Sequence, residues 1–262
     1  MATLPRAGLA LLLLGALGAC GPKRQEGWTQ HNLADPKLPA ASAKELAACQ
    51  QRLRTAGFLP SAELARPADA SNYGLRRTRD ELGRPVPHSP MLIVLHETVL
   101  SAADSVALFQ THHPRDDDQV SYHMLVDRQG QRLRLVPDEH RAYGAGMSAF
   151  GDATVRIKRQ SPGSINDVAL HLSLETPADG RGDADGHSGY TDAQYRTSAA
   201  QVLLWQARYG IPLTRLTTHA AVDRSRSRYD PRSFRWERFL PDYHRAAQRC
   251  GFGRFDSLRA SW

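Results

Sequence analysis

The chain of 262 residues has only three cysteines. Three thiols allow a single internal bridge, which excludes a fold held together by many disulfides. No internal repeat is present, which excludes a solenoid. The N-terminal apolar run, Gly8 to Leu17, falls well short of the roughly 20 residues needed to cross a bilayer. Although the formal charge is +7, no nucleic-acid-binding motif accompanies it and the basic residues are scattered. A soluble basic protein facing an anionic polymer or surface fits this pattern, and nucleic acid is not expected as a partner.

What is present is an alternation of strands and helices. Strands are expected at 91–96, 121–126, 131–136, 168–174 and 215–218, with a hairpin turning around Asp127-Arg128-Gln129-Gly130. Helices are expected at 43–58, at 101–110 behind Ser101 and Asp104, and at 191–209 between Thr191-x-x-Gln194 and Gly210. A short helix after Pro231 and a further one near 241–249 complete the pattern. Residues 60–90 read mostly as irregular. The fold class is therefore α/β, a mixed central sheet flanked by helices. Residues 178–190 form a Gly- and Asp-rich loop, where Arg181 occupies the place of a first acidic calcium ligand. A mobile loop beside the groove is the better expectation.

Chemistry concentrates at strand ends. The run Met91-Leu92-Ile93-Val94-Leu95 ends in His96; Leu216-Thr217-Thr218 ends in His219; Asp230 stands in a turn before Pro231. Two imidazoles and a carboxylate form a zinc ligand set that leaves the fourth tetrahedral position open.

The N-terminus carries a basic residue, Arg6, before its apolar run, then small residues before Cys20, the pattern of a secretory signal. Leu17-Gly18-Ala19-Cys20 resembles a bacterial lipobox, which implies lipidation of Cys20, a membrane anchor and an outer-membrane lipoprotein with its domain in the periplasm. Cys49 and Cys250 then remain as a disulfide pair. The expected organisation is a signal at 1–19, a lipidated tether at 20–42, a helical and irregular extension at 43–90, a zinc domain at 91–250 and a tail at 251–262.

The order of motifs over about residues 90–240 resembles the type 2 N-acetylmuramoyl-L-alanine amidases. The resemblance runs from His96 through Ser121-Tyr122-His123-Met124-Leu125-Val126-Asp127, Gly130, Leu135-Val136-Pro137-Asp138 and Arg141-Ala142-Tyr143 to His219 and Asp230-Pro231. It implies one zinc ion per chain, held in a surface groove by His96, His219 and Asp230. The implied substrate is peptidoglycan or muropeptides, cut between the muramic acid lactyl group and L-alanine. The sequence also departs from the family. Where many members have Ile-Gly-Ile-Glu, alignment places Val168-Ala169-Leu170-His171, so His171 stands for the proton-handling glutamate. Glu175 and Tyr122 are the other candidates for that task. Arg228 stands for a lysine and keeps a positive charge for the oxyanion. Tyr143-Gly144-Ala145-Gly146 stands for Trp-His-Ala-Gly. Glu97 is read as structural. These departures leave a second reading open, a peptidoglycan-binding protein without activity.

Overall fold

The structure, a computed structural model, describes residues 37–255 apart from 61, 159, 161, 162 and 183. The signal at 1–19, Cys20 and most of the tether lie outside the described residues, as do residues 256–262.

Eight strands and five α-helices are present among the described residues. The strands are β1 (Glu63–Ala65), β2 (Tyr73–Leu75), β3 (Leu92–Glu97), β4 (Met124–Val126), β5 (Arg132–Arg134), β6 (His140–Ala142), β7 (Ala169–Leu174) and β8 (Leu216–Thr218). The helices are α1 (Ala43–Thr55), α2 (Ala102–Gln110), α3 (Asp192–Tyr209), α4 (His219–Val222) and α5 (Trp236–Cys250). Six strands form one sheet in the order β1-β5-β4-β7-β3-β8, and β2 pairs with β6 separately. Within the large sheet only β4 and β5 run antiparallel. Their connection is the expected hairpin, in which Gly130 takes a φ of 81° that other residues avoid.

A parallel sheet covered on both faces needs strands that are apolar on both sides, and β3 and β7 are buried at every position. Ile93, Leu95, Leu170, Leu172, Leu174, Met124 and Val126 pack into the main core with buried residues of α1, α3 and α5. On the alternate positions Leu92, Val94 and Ala169 join a second cluster with Ile165 and Val222. His96 of β3 and His171 and Ser173 of β7 occur at this second parity, and the site is built there.

The helix caps behave as their sequences require. Ser42 and Glu45 close a capping box on α1, and Thr191 and Gln194 do so on α3. Gly210 ends α3 in the left-handed region at φ 67°, and Pro212 follows.

Residues 60–90, expected to be mostly irregular, also contain β1 and β2, both too short to carry a periodic signal. Two expectations are corrected. The segment 43–90 is part of the domain rather than an extension to it. In it, β1 forms the sheet edge on β5, and α1 packs against α3 and α5. Finally, the two short helices expected after Pro231 are one helix, α5, with Pro241 inside it. Proline removes one helical hydrogen bond and crowds the preceding turn. Burial of Phe239, Tyr243, Ala246, Ala247 and Cys250 along one face of α5 offsets that cost.

A disulfide joins Cys49 in α1 to Cys250 at the end of α5, across 201 residues of chain. A long closed loop restricts the unfolded chain strongly. Replacing both cysteines with serine is expected to lower unfolding free energy by about 2–4 kcal/mol, read from urea denaturation.

Candidate metal centre

β3 lies between β7 and β8, with Leu95 opposite both Leu172 and Thr218. His96 follows Leu95 on one strand and His219 follows Thr218 on the neighbouring one, so the parallel register brings the two imidazoles together. Their ring centroids are 4.6 Å apart. His219 is the first residue of α4, whose Thr218 cap accepts from Ala221 N. Asp230 reaches the same point from the following loop, held by Ala220 N–H donating to its carbonyl at 2.9 Å.

The three side chains offer Nδ1 of each histidine to one carboxylate. His219 Nδ1 lies 2.9 Å from Asp230 Oδ1, and His96 Nδ1 lies 3.4 Å from Oδ2. All three ligand atoms fall within 4.8 Å of one another. Zinc bonds of about 2.0–2.2 Å at tetrahedral angles place ligand atoms roughly 3.4 Å apart, so the donor set fits zinc. His96 Nδ1 is buried and makes no hydrogen bond, which is what a nitrogen reserved for a metal requires. Burial pulls the His96 imidazole down to about 4, with His219 and Arg228 adding to the effect against Asp230. Burial alone would raise the Asp230 carboxyl, but His219 and His96 outweigh it and hold it well below the usual range. Neutral imidazole and ionised carboxylate are the states a metal ion binds.

His219 and Asp230, with His96 fully buried beside them, border a cavity of about 460 Å³, whose wall also includes Tyr122, Tyr143, Gly144 and Arg228. The Tyr122 ring lies 4.7 Å from His96, and burial raises its phenol well above the ordinary value, with Asp230 adding to this. Arg228 is exposed at the rim. Its loop is shaped by Asp223, whose carboxylate accepts from the backbone N–H groups of Ser225, Ser227 and Arg228. Sequence reading missed Asp223; the local signal was Asp-Arg-Ser-Arg-Ser, typical of a turn in which Asp binds nearby amides.

Two of the proton-handling candidates lie elsewhere. Glu175 accepts from Arg128 N–H at 2.9 Å and is not on the cavity wall. His171 is fully buried, with its Nδ1 2.9 Å from Nε2 of His96. It therefore stands at the far nitrogen of His96, away from Asp230, and does not line the cavity. Alignment by short motif placed it at the metal's reactive side; β7 instead places it one strand over, opposite Val94.

The partners of Glu97 were not legible in the sequence. Its carboxylate is buried and receives Arg232 Nε, His187 Nε2 at 2.9 Å and the Tyr190 hydroxyl at 2.8 Å. Arg232 also donates to the carbonyls of Gly180, Gly182 and Ala184. The 178–190 loop, expected to be mobile, is thus tied to the base of the site through one buried guanidinium.

Residues 86–233 match the protein family described as N-acetylmuramoyl-L-alanine amidase. Among curated proteins, the 1,6-anhydro-N-acetylmuramyl-L-alanine amidase AmpD of Citrobacter freundii is 30% identical over 121 residues, 46% of this chain and 56% of that protein. AmpD of Salmonella typhimurium strain LT2 is 29% identical over the same shares. The match thus spans little more than half the length of these relatives. A crystal structure of a selenomethionine derivative of AmpD superposes with a TM-score of 0.52 at 25% identity, covering 71% of this chain and 97% of that one.

The similarity also corrects an expectation. Amidases of the AmpD type are cytoplasmic enzymes, which conflicts with a lipidated Cys20, a membrane partner and an outer-membrane or periplasmic placement. The lipobox resemblance rested on a short stretch of apolar and small residues, a pattern of low specificity, and those assignments are withdrawn.

Removing one side of a buried ion pair leaves the other charge uncompensated, at about 3–5 kcal/mol. Arg232→Leu is therefore expected to destabilise the protein by that order in urea unfolding. It should also expose the 178–190 loop to proteolysis in the native state.

Proposed function

Because the chain belongs to the N-acetylmuramoyl-L-alanine amidase family, we propose that it is a zinc-dependent amidase acting on muramyl peptides. The bond cut is the amide between the lactyl group of muramic acid and L-alanine. The observation that carries this reading is the convergence of His96, His219 and Asp230 beside an open cavity whose wall His219 and Asp230 help to form. A single zinc ion in that ligand set would supply a Lewis acid and a nucleophile at neutral pH.

The chain's own residues account for the remaining requirements. His96, His219 and Asp230 hold the ion. Tyr122 keeps its proton at neutral pH because its phenol is pushed upward, so it serves as a hydrogen-bond donor to the carbonyl oxygen as charge develops there. Arg228 brings a permanent positive charge to the rim, on a loop whose backbone Asp223 fixes. Tyr143 and Gly144 form the wall against which the muramyl peptide lies. The relatives named for 1,6-anhydro-N-acetylmuramyl-L-alanine support anhydromuramyl peptides as the first substrates to try. The complete ligand set favours hydrolysis over recognition without chemistry.

Purified protein supplied with zinc and incubated with anhydromuramyl and muramyl peptides is expected to release peptide beginning with free L-alanine, seen by mass spectrometry. His96→Ala should abolish release. No release by the wild type with zinc bound would favour the recognition reading. Arg228→Ala and Tyr122→Phe should each lower kcat by roughly 10²–10³-fold, with a smaller change in KM. Equal effects on KM alone would assign both residues to substrate binding.

A further inference from the structure

Four histidines lie close together on the second face of the sheet, and only two belong to the ligand set. His123 and His171 are fully buried, and their rings stack at 5.6 Å with an interplanar angle of 12°. Their hydrogen bonds define an order of proton placement. His123 Nδ1 accepts the backbone N–H of His171 at 3.0 Å, so its proton is on Nε2, which donates to the carbonyl of His140 at 3.1 Å. At the other end, His96 Nδ1 faces Asp230 without a hydrogen bond, while its Nε2 lies 2.9 Å from His171 Nδ1. If His96 offers Nδ1 to a metal, its proton is on Nε2, and His171 Nδ1 is the acceptor of that proton's hydrogen bond.

Space for the His171 ring comes from the opposite wall. A Cβ atom at Gly144 would lie 2.6 Å from both Cγ and Nδ1 of His171. Real Cβ contacts do not reach that distance, so no other residue fits at 144 while His171 keeps its position. The glycine does not serve an unusual backbone conformation; its φ is not among the positive values of this chain. Its missing side chain is explained by the ring in front of it.

We propose that His171 is the positioning residue of the metal centre, and that Gly144 exists to admit it. His171 accepts from Nε2 of His96, which fixes the His96 ring and its tautomer so that Nδ1 points, unprotonated, toward Asp230 and His219. A ligating histidine whose second nitrogen is held in this way binds metal more tightly than a free ring. Two substitutions at separate places in the chain therefore damage one property. The inference rests on the assignment of His96 as a zinc ligand.

The test is zinc affinity, measured by chelator competition on the whole protein, with the absorption spectrum of the cobalt-loaded protein as a second readout. His171→Leu removes the acceptor and keeps an apolar filling. It is expected to weaken zinc about 10–100-fold and to alter the cobalt spectrum, with circular dichroism unchanged. His171→Gln, which keeps an acceptor, should recover part of the loss. Gly144→Ala should weaken zinc by displacing the ring, although it touches no ligand. In a His171→Ala background the same Gly144→Ala change should have no further effect, so the two substitutions are coupled rather than additive. If His171→Leu does not fold, the Gly144→Ala and His171→Ala pair carries the test. Unchanged zinc affinity in the 171 variants, or additive effects of the pair, would overturn the proposal while leaving the ligand set intact. Absence of zinc binding by the wild type would overturn the ligand assignment itself, and this inference with it.

Discussion

Everything at the metal centre depends on the parallel pairing of β3 with β7 on one side and β8 on the other. Parallel strands end together at one edge of a sheet, and paired residues share a face. His96 and His219 thus leave adjacent strands at the same level, separated by the strand spacing rather than by 123 residues of chain. His171, opposite Val94, falls on the same face two residues earlier in register than the partner of His96. No loop conformation is needed to bring these imidazoles together, because backbone hydrogen bonds hold them. Asp230 is the one ligand supplied by a loop, and that loop is anchored at Ala220 and shaped by Asp223.

The site is polar inside a sheet that is otherwise apolar, and the polar groups are paired accordingly. Glu97 is surrounded by Arg232, His187 and Tyr190. Arg76, nearly buried, donates to the carbonyls of Asp138, Asp167 and Ala169. Such groups cost free energy to bury and are retained only when most of their hydrogen bonds are made. Here they tie Asp138, the 165–168 loop and the 178–190 loop to their surroundings. The two buried nitrogens left without partners next to the centre are His96 Nδ1 and His171 Nε2. The first faces the candidate metal position between His219 and Asp230.

The candidate ligand set was legible because the order of motifs around it resembles a known family, and each candidate also sits beside a local signal. An unbroken apolar run marks β3, a short β-branched stretch marks β8, and Asp-Pro marks a turn. The roles of the nearby residues were not legible. His171 was a candidate for proton handling because it aligns with the family's glutamate, and Glu175 because it shares the strand parity of His171, but neither alignment nor parity says which neighbour a side chain meets. Pairing with β3 decided that His171 faces the back of a ligand, and the Arg128 amide claimed Glu175. Similarly, β1, β2 and β6 span three residues each, too few for periodicity to show, and exist because an edge was available to pair with.

The sequence by itself determined the α/β class and the principal strands and helices with their caps, since these follow from periodicity and short-range chemistry, and its resemblance to a family pointed to His96, His219 and Asp230 as candidate metal ligands. The tertiary structure decided the strand order, the burial of Glu97 under Arg232, the continuity of α5 through Pro241, and the meeting of His171 with His96 and Gly144. Those contacts join residues 27 to 135 positions apart in the chain. They arise only when the register of a sheet, which no local pattern encodes, places one strand beside another.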